Sequence, residues 1–315
     1  MRGKSPRRRG GTGGPGRVLA GCAAVTAAVV AGTGVLAGCT SSGSPTSGSS
    51  SAAASPSPRP TPLWNRGPAT VAAVGDSITR GFDACGVLAE CPEASWSTGK
   101  DRNVRSLAYR LLGGPSEEVL AARTWNVART GARMADLPDQ MARAARYGPE
   151  LVTVLVGAND ACRNSTERMT PVAAFKASFE ASLRELRAGA PKAQVYVSSV
   201  PDLKRLWSTG RGNPLGRQVW KLGICASMLG DSQDDSKAAQ ERRDLVYDRV
   251  VAYNGVLKDV CAKDRRCRYD GGAVFAFRFS GEQLSPWDWF HPSRNGQSRL
   301  AEIAYRNVTA AEPPA

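Results

Sequence analysis

Three short apolar runs in this chain each stop at a polar turn that contains glycine. Thr70-Val71-Ala72-Ala73-Val74 runs into Gly75-Asp76-Ser77-Ile78-Thr79. Thr124-Trp125-Asn126-Val127 runs into Ala128-Arg129-Thr130-Gly131-Ala132, and Leu151-Val152-Thr153-Val154-Leu155-Val156 into Gly157-Ala158-Asn159-Asp160. Runs this short and this apolar read as buried strands. Helical patterns separate them. Val104, Leu107, Ala108, Leu111 and Leu112 share one helical face before Gly113-Gly114, and a short helix is expected near 134–145. Thr170 as N-cap and Pro171 at the first helical position open another, with a stripe of Val172, Phe175, Phe179, Leu183 and Leu186. Residues 194–200 read as a fourth strand ended by Pro201, and 203–236 show no clear period. A long helix is expected over 237–260, with Leu245, Val246, Val250, Tyr253, Leu257 and Val260 facing inward. Arg268-Tyr269 reads as a short last strand, and a final helix starts at Ser293.

Strands alternating with amphipathic helices indicate a parallel sheet covered on both faces. The expected fold class is α/β, a three-layer α/β/α sandwich with a central, mostly parallel sheet. The carboxyl ends of parallel strands share one edge, where open α/β sheets place their sites. Ser77, Gly131 and Asn159 can therefore converge.

The N-terminus reads differently. Residues 1–38 hold six basic residues and no acid, with an uncharged stretch rich in Ala, Val and Gly from Val18 to Gly38. A basic region, an apolar region and small residues before a cysteine make an export signal. Leu36-Ala37-Gly38-Cys39 resembles a bacterial lipoprotein lipobox, so residues 1–38 are expected to be a lipoprotein signal peptide and Cys39 the lipidated first residue of the mature chain. Another kind of cleaved signal and an uncleaved anchor are the alternatives, since about 20 apolar residues can span a bilayer. Leu19-Ala20-Gly21-Cys22 has the same letters but no apolar core before it, and no apolar run directly follows Arg7-Arg8-Arg9 as twin-arginine export would require. Residues 39–62 are nearly all Ser, Thr, Ala, Gly and Pro, a composition that buries no core and predicts a disordered tether. Residues 63–312 are then the folded domain.

That domain keeps Cys85, Cys91, Cys162, Cys225, Cys261 and Cys267. An even count in an exported chain suggests disulfides, although six cysteines allow many pairings. The simplest connectivity joins the two close pairs, Cys85 with Cys91 and Cys261 with Cys267, and leaves Cys162 with Cys225. A metal site is not expected, because metal-binding cysteines come as close pairs with histidine partners and the chain has one histidine. The basic excess would favour approach to anionic lipid or cell-wall polymer. No basic block with interleaved aromatics is present, which argues against nucleic acid as a partner.

Ser77 stands where a strand end can expose a hydroxyl, although a polar turn capping the next helix has the same look. A serine nucleophile needs a base within hydrogen-bond reach and a group that orients the base. The single histidine, His291, lies in Trp287-Asp288-Trp289-Phe290-His291-Pro292-Ser293. Asp288, three residues earlier, could accept from its imidazole within one turn of loop.

Gly75-Asp76-Ser77, Gly131, Gly157-Ala158-Asn159-Asp160 and Asp288-Trp289-Phe290-His291 occur in this order. Together they resemble the four blocks of the SGNH (GDSL) hydrolase superfamily, across nearly the whole folded domain. The resemblance implies an SGNH hydrolase-like, flavodoxin-like sandwich with Ser77 as nucleophile, His291 as base and Asp288 as its orienter. It also implies an oxyanion hole formed by the backbone N–H groups of Ser77 and Gly131 and the side-chain amide of Asn159, with Gly157 and Gly99 as rivals to Gly131. No cofactor or metal is implied. Asp160 is expected to tie down its loop. Ser95-Trp96-Ser97-Thr98-Gly99, Val156-Gly157-Ala158-Asn159-Asp160-Ala161-Cys162 and Phe290-His291-Pro292-Ser293 resemble the phospholipase B-like branch, whose substrates are lipid esters; ordinary aromatic packing is the alternative for the Ser-Trp-Ser stretch. The expected function is an exported, monomeric carboxylic-ester hydrolase (lipase or esterase) outside the membrane, lipid-anchored or secreted. The alternatives are an acetyl esterase acting on polysaccharide and a non-catalytic surface-tethered binding lipoprotein.

Overall fold

The structure is a computed structural model that describes residues 63–314. The signal, the tether and Cys39 lie outside the described residues. Five strands form one sheet: β1 (Val71–Gly75), β2 (Thr124–Asn126), β3 (Leu151–Leu155), β4 (Gln194–Val197) and β5 (Cys267–Tyr269), in the order β2-β1-β3-β4-β5. Every pairing is parallel, with Val71 opposite both Thr124 and Leu151. β1, β3 and β4 are buried along their whole length. That is why they read as unbroken apolar runs without alternation.

The helices follow in chain order. They are α1 (Leu107–Leu111), α2 (Glu117–Arg123), α3 (Leu137–Ala145), α4 (Ala158–Ala161), α5 (Val172–Gly189) and α6 (Leu203–Gly210), then α7 (Pro214–Trp220), α8 (Ala226–Leu229), α9 (Lys237–Cys261), α10 (Ala273–Ala276) and α11 (Arg294–Thr309). α3, α5 and α9 pack together on one side of the sheet, while α1 and α11 pack together on the other. The result is a three-layer sandwich. Leu107, Met141, Phe175, Phe179, Tyr253, Leu257 and Leu300 fill the layers between sheet and helices.

Several local expectations change. Pro171 is itself the residue before α5, so that helix starts one position later than the Thr-Pro pair suggests. β4 stops at Val197, three residues short of the apolar run's end. α2 has no stripe to reveal it, because Leu120 is its only buried residue. Leu245 faces solvent at 54% exposure, whereas Val246, Val250, Tyr253, Leu257 and Val260 of the same helix are buried. The stretch without a clear period folds as α6, α7 and α8.

Disulfides join Cys85 to Cys91, Cys162 to Cys225 and Cys261 to Cys267. The second closes the longest loop and in the chain-entropy model contributes about 4 kcal/mol. It staples the C-terminal end of α4 to the start of α8. Ser227 reinforces the staple: its N–H donates to the Arg163 carbonyl at 2.8 Å and its hydroxyl to the Ala161 carbonyl at 2.8 Å. Among the described residues no helix is long and apolar enough to cross a membrane.

Candidate active site

β1 and β3 lie side by side, and the strand order reverses between them, which opens a crevice at their carboxyl ends. Ser77 leaves β1 there and Asn159 leaves β3. Gly75 closes β1 at φ +150°, and a Cβ on it would lie 2.3 Å from the Leu155 carbonyl oxygen. Only glycine lets the chain turn this close to β3. The Gln140 side chain of α3 accepts from the Gly75 N–H at 2.8 Å and donates to its carbonyl at 2.9 Å. Past the turn, the Gln297 amide of α11 donates to the Ile78 carbonyl at 2.8 Å while its oxygen accepts from Trp96 N–H at 2.9 Å.

His291 arrives from a loop, not from a regular element. The Ser285 N–H donates to the His291 carbonyl at 2.7 Å, and the Trp289 N–H to the Ser285 carbonyl at 2.9 Å. Trp289 takes the left-handed conformation, φ +52°. Asp288 folds back on the loop. Its Oδ1 accepts from the N–H groups of Phe290 and His291 at 2.9 and 3.0 Å, and its Oδ2 meets His291 Nδ1 at 2.5 Å. His291 Nε2 lies 2.8 Å from Ser77 Oγ. Serine, imidazole and carboxylate therefore form one hydrogen-bonded chain. Ser77 and His291 are 7% and 9% exposed, and Asp288 is fully buried. The rings of Phe82 and Phe290 flank the imidazole, with centroids 5.0 and 5.3 Å away.

The charges set the proton affinities. Burial alone would depress the imidazole, but the carboxylates of Asp288, Asp83 and Asp76 outweigh it and hold His291 above its ordinary value. Burial would raise Asp288, yet the His291 charge and the hydrogen bonds to its oxygens keep it below the usual carboxylate range. At Asp76 burial outweighs the hydrogen bond from the Ile78 N–H and the His291 charge, and pushes it up to about 7. An imidazole placed this way can take a proton from Ser77 Oγ and share the resulting charge with Asp288.

Gly131 and Asn159 sit on the two neighbouring turns. Gly131 has φ +79°, and a Cβ there would meet nothing within 4 Å. Its N–H and that of Ser77 have no hydrogen-bond partner among the described residues. One Asn159 amide proton goes to the Ala132 carbonyl at 3.0 Å. Asp160 Oδ2 accepts from Met134 N–H at 2.8 Å, so two hydrogen bonds join the Gly131 loop to the Asn159 turn. The rival Gly99 donates its N–H to the Ser95 carbonyl at 3.0 Å. Trp96 is almost fully buried, with its indole N–H on Thr79 Oγ1 at 3.3 Å, and Ser97 bonds Thr153 in the core at 2.7 Å. The Ser-Trp-Ser stretch is thus packing beneath the Ser77 turn.

Residues 71–304 match the GDSL-like lipase/acylhydrolase family. The chain belongs to that family. Membership carries the coarse activity, hydrolysis of acyl esters. Among solved structures the chain is similar to phospholipase A1 from Streptomyces albidoflavus NA297 (21% identity over 77% of this chain and 100% of the other, TM-score 0.42). It is similar to an extracellular lipase from Streptomyces rimosus (19%, 76% and 99%, TM-score 0.44) and to a family 3 carbohydrate esterase from Clostridium thermocellum (16%, 75% and 93%, TM-score 0.43). No curated protein matches the sequence.

Three residues of this GDSL hydrolase site escape a reading by motif. Gln140 is a polar residue on the buried face of α3, beside Leu137, Met141 and Ala144, and that misplacement is its one sequence signal. Trp220 donates its indole N–H to the Asp288 carbonyl at 2.7 Å from a helix that the pattern does not reveal. Asp83 brings a third carboxyl close to Asp288 and His291. These three could also converge on a cation. However, Asp288 Oδ2 and His291 Nδ1 are already joined, which leaves no room for an ion between them.

Proposed function

We propose that the chain is an exported serine esterase in which Ser77, His291 and Asp288 form the catalytic triad. Ser77 Oγ attacks the acyl carbon while its proton passes to His291 Nε2. The tetrahedral oxyanion is met by the N–H groups of Ser77 and Gly131 and the free amide proton of Asn159. The imidazolium then protonates the departing alcohol oxygen. A water enters, gives its proton to His291, and releases the acid from Ser77. The observation that carries this reading is the chain Ser77 Oγ–His291 Nε2 at 2.8 Å with Nδ1 on Asp288. The three disulfides agree with an oxidising, extracytoplasmic setting. There a monomer, tethered by a lipid on Cys39 or secreted, would meet its substrate.

The leading substrate is a lipid or small carboxylic ester. A second reading, removal of acetyl groups from polysaccharide, is favoured by one feature. The apolar recess against His291, lined by Ile78, Leu203, Leu206, Phe279 and Phe290, holds only about 10 Å³, roughly the space of one water. Turnover of p-nitrophenyl acetate separates an enzyme from a binding lipoprotein. A chain-length series from acetate to palmitate decides the substrate: a rate that falls steeply beyond acetate supports the acetyl reading, and a maximum at long chains the lipid one. No turnover of any ester in the series would overturn both.

A further inference from the structure

Asp83 is a buried acid beside the imidazole that the triad leaves unused. It is 1% exposed, in the loop that follows the Ser77 turn, and it takes the left-handed conformation, φ +57°. A non-glycine residue held there is a local strain that surrounding contacts must enforce. Those contacts are present. The Asp83 N–H donates to the Ala89 carbonyl at 2.9 Å, and its carbonyl accepts from Ser285 Oγ at 2.8 Å. The Cys85–Cys91 bridge closes the same loop. Ser285 is also the residue whose N–H holds the His291 carbonyl. The Asp83 backbone is therefore tied to the turn that carries the base.

The side chain is placed with equal definition. A carboxyl oxygen of Asp83, one of Asp288 and a ring nitrogen of His291 lie within 4.8 Å of one another. Neither Asp83 oxygen meets an N–H or O–H in complete hydrogen-bond geometry. Two carboxylates this close and this dry cannot both be ionised cheaply, and a proton shared between them removes the conflict. Burial and then the Asp288 charge push Asp83 up to about 6, against the pull of His291 and the Leu88 N–H. The groups that face the imidazole are Ser77, Asp288 on its own loop, and Asp76 and Asp83 on the segment after β1. The rings of Phe82 and Phe290 cover the remaining sides.

We propose that Asp83 is a positioning residue: protonated, it donates a hydrogen bond to Asp288 and fixes that carboxylate behind His291; ionised, it adds a second negative charge behind the imidazole. This inference rests on the triad reading. The sign of the effect follows from charge. An Asp83 carboxylate favours imidazolium, so removing it favours the neutral ring that serves as base.

The test uses the single histidine, whose ring signals in NMR need no assignment in the tag-free protein. In Asp83→Asn the imidazole of the free enzyme should titrate about 0.5–1 unit lower, as loss of one nearby carboxylate does. The acid limb of kcat/KM should move down by the same amount. Below about pH 6, where Asp83 holds its proton, Asp83→Ala removes the donor as well and should lower kcat about tenfold against the wild type at the same pH, the loss of one hydrogen bond to a charged group. Asn, whose amide can donate to Asp288, should recover most of that loss with KM little changed. In the wild type the ring shifts should show a second inflection as Asp83 ionises, a readout that survives if the variants fail to fold. An unmoved imidazole titration in folded Asp83→Asn, or a single-step wild-type titration, would overturn the proposal. Full activity in His291→Ala would instead sink the triad reading, so the two failures are distinct.

Discussion

Ser77 and His291 meet at 2.8 Å, yet the two sides of that contact are built by unlike means. The serine side is backbone. β1 pairs with β2 and β3, Gly75 is clamped by Gln140, and the turn closes on itself through Phe82 N–H to the Ser77 carbonyl at 3.0 Å. The histidine side is a loop shaped by side chains. Asp288 wraps it from within, while Trp220 holds it from outside. The Trp289 side chain lies where a Cβ on Gly216 or Gly281 would touch it, at 2.9 and 3.1 Å. The serine position follows from strand pairing, which the unbroken apolar runs of β1 and β3 encode. The histidine position depends on helices that lie far away in the chain.

The largest effect tests whether the two sides act as one unit. Ser77→Ala and His291→Ala should each lower kcat by roughly 10⁴–10⁶, and the double variant little further. Losses that multiply in the double variant would show two independent contributions. Asn159→Ala belongs to neither side and removes one proposed oxyanion donor, so kcat should fall about 10²–10³. A change confined to KM would assign Asn159 to substrate binding.

The same contrast decides what could be read from the sequence. The parallel sheet and its serine turn were legible, because β1 and β3 are unbroken apolar runs ended by glycine. So were the members of the hydrogen-bonded chain, because motif letters mark Ser77, Asp288 and His291 and there is one histidine to choose. The supports of the base loop were not. Leu203, Leu206 and Trp207, then Trp220, then Met228 and Leu229 are core residues. They come in pieces broken by Gly210, Gly212, Pro214 and Gly223, too short for a period to show. Asp83 is one acid in an irregular loop, and only the long-range contact with Ser285 reveals its place. α2 escaped for the opposite reason, being mostly exposed.

A loss on the serine side should be paid in stability first. Gln140→Ala leaves the Gly75 N–H buried without a partner, while the Gly75 carbonyl keeps the Arg129 N–H at 3.1 Å. The expected cost is about 2–3 kcal/mol, the penalty of an orphaned buried donor plus a lost bond. Urea unfolding should show it as a lower midpoint at unchanged slope. Because strand pairing still aims Ser77, kcat of the folded fraction should change little. A large fall in kcat with unchanged stability would mean that the sheet does not suffice to place the serine.

Trp220→Phe is the matching change on the histidine side, and the smallest. It keeps an aromatic ring against the core but removes the indole N–H from the Asp288 carbonyl. A buried carbonyl that loses its donor costs about 1–2 kcal/mol. Here the cost should fall on geometry as well as on the fold, because a single antiparallel bridge, Leu284 to Pro292, closes the loop from 285 to 291 in place of a full strand pairing. Asp288 still wraps its own turn through Oδ1, so the imidazole stays bonded to the carboxylate. What loosens is the distance from that unit to Ser77. We expect kcat to fall about tenfold or less, the rate equivalent of that energy, with KM unchanged and the imidazole titration unmoved, since no charge near the ring has been altered. This outcome separates Trp220 from Asp83, whose replacement moves the titration. Wild-type kcat in folded Trp220→Phe would show that the local turn alone aims His291, and the two sides of the site would then be alike.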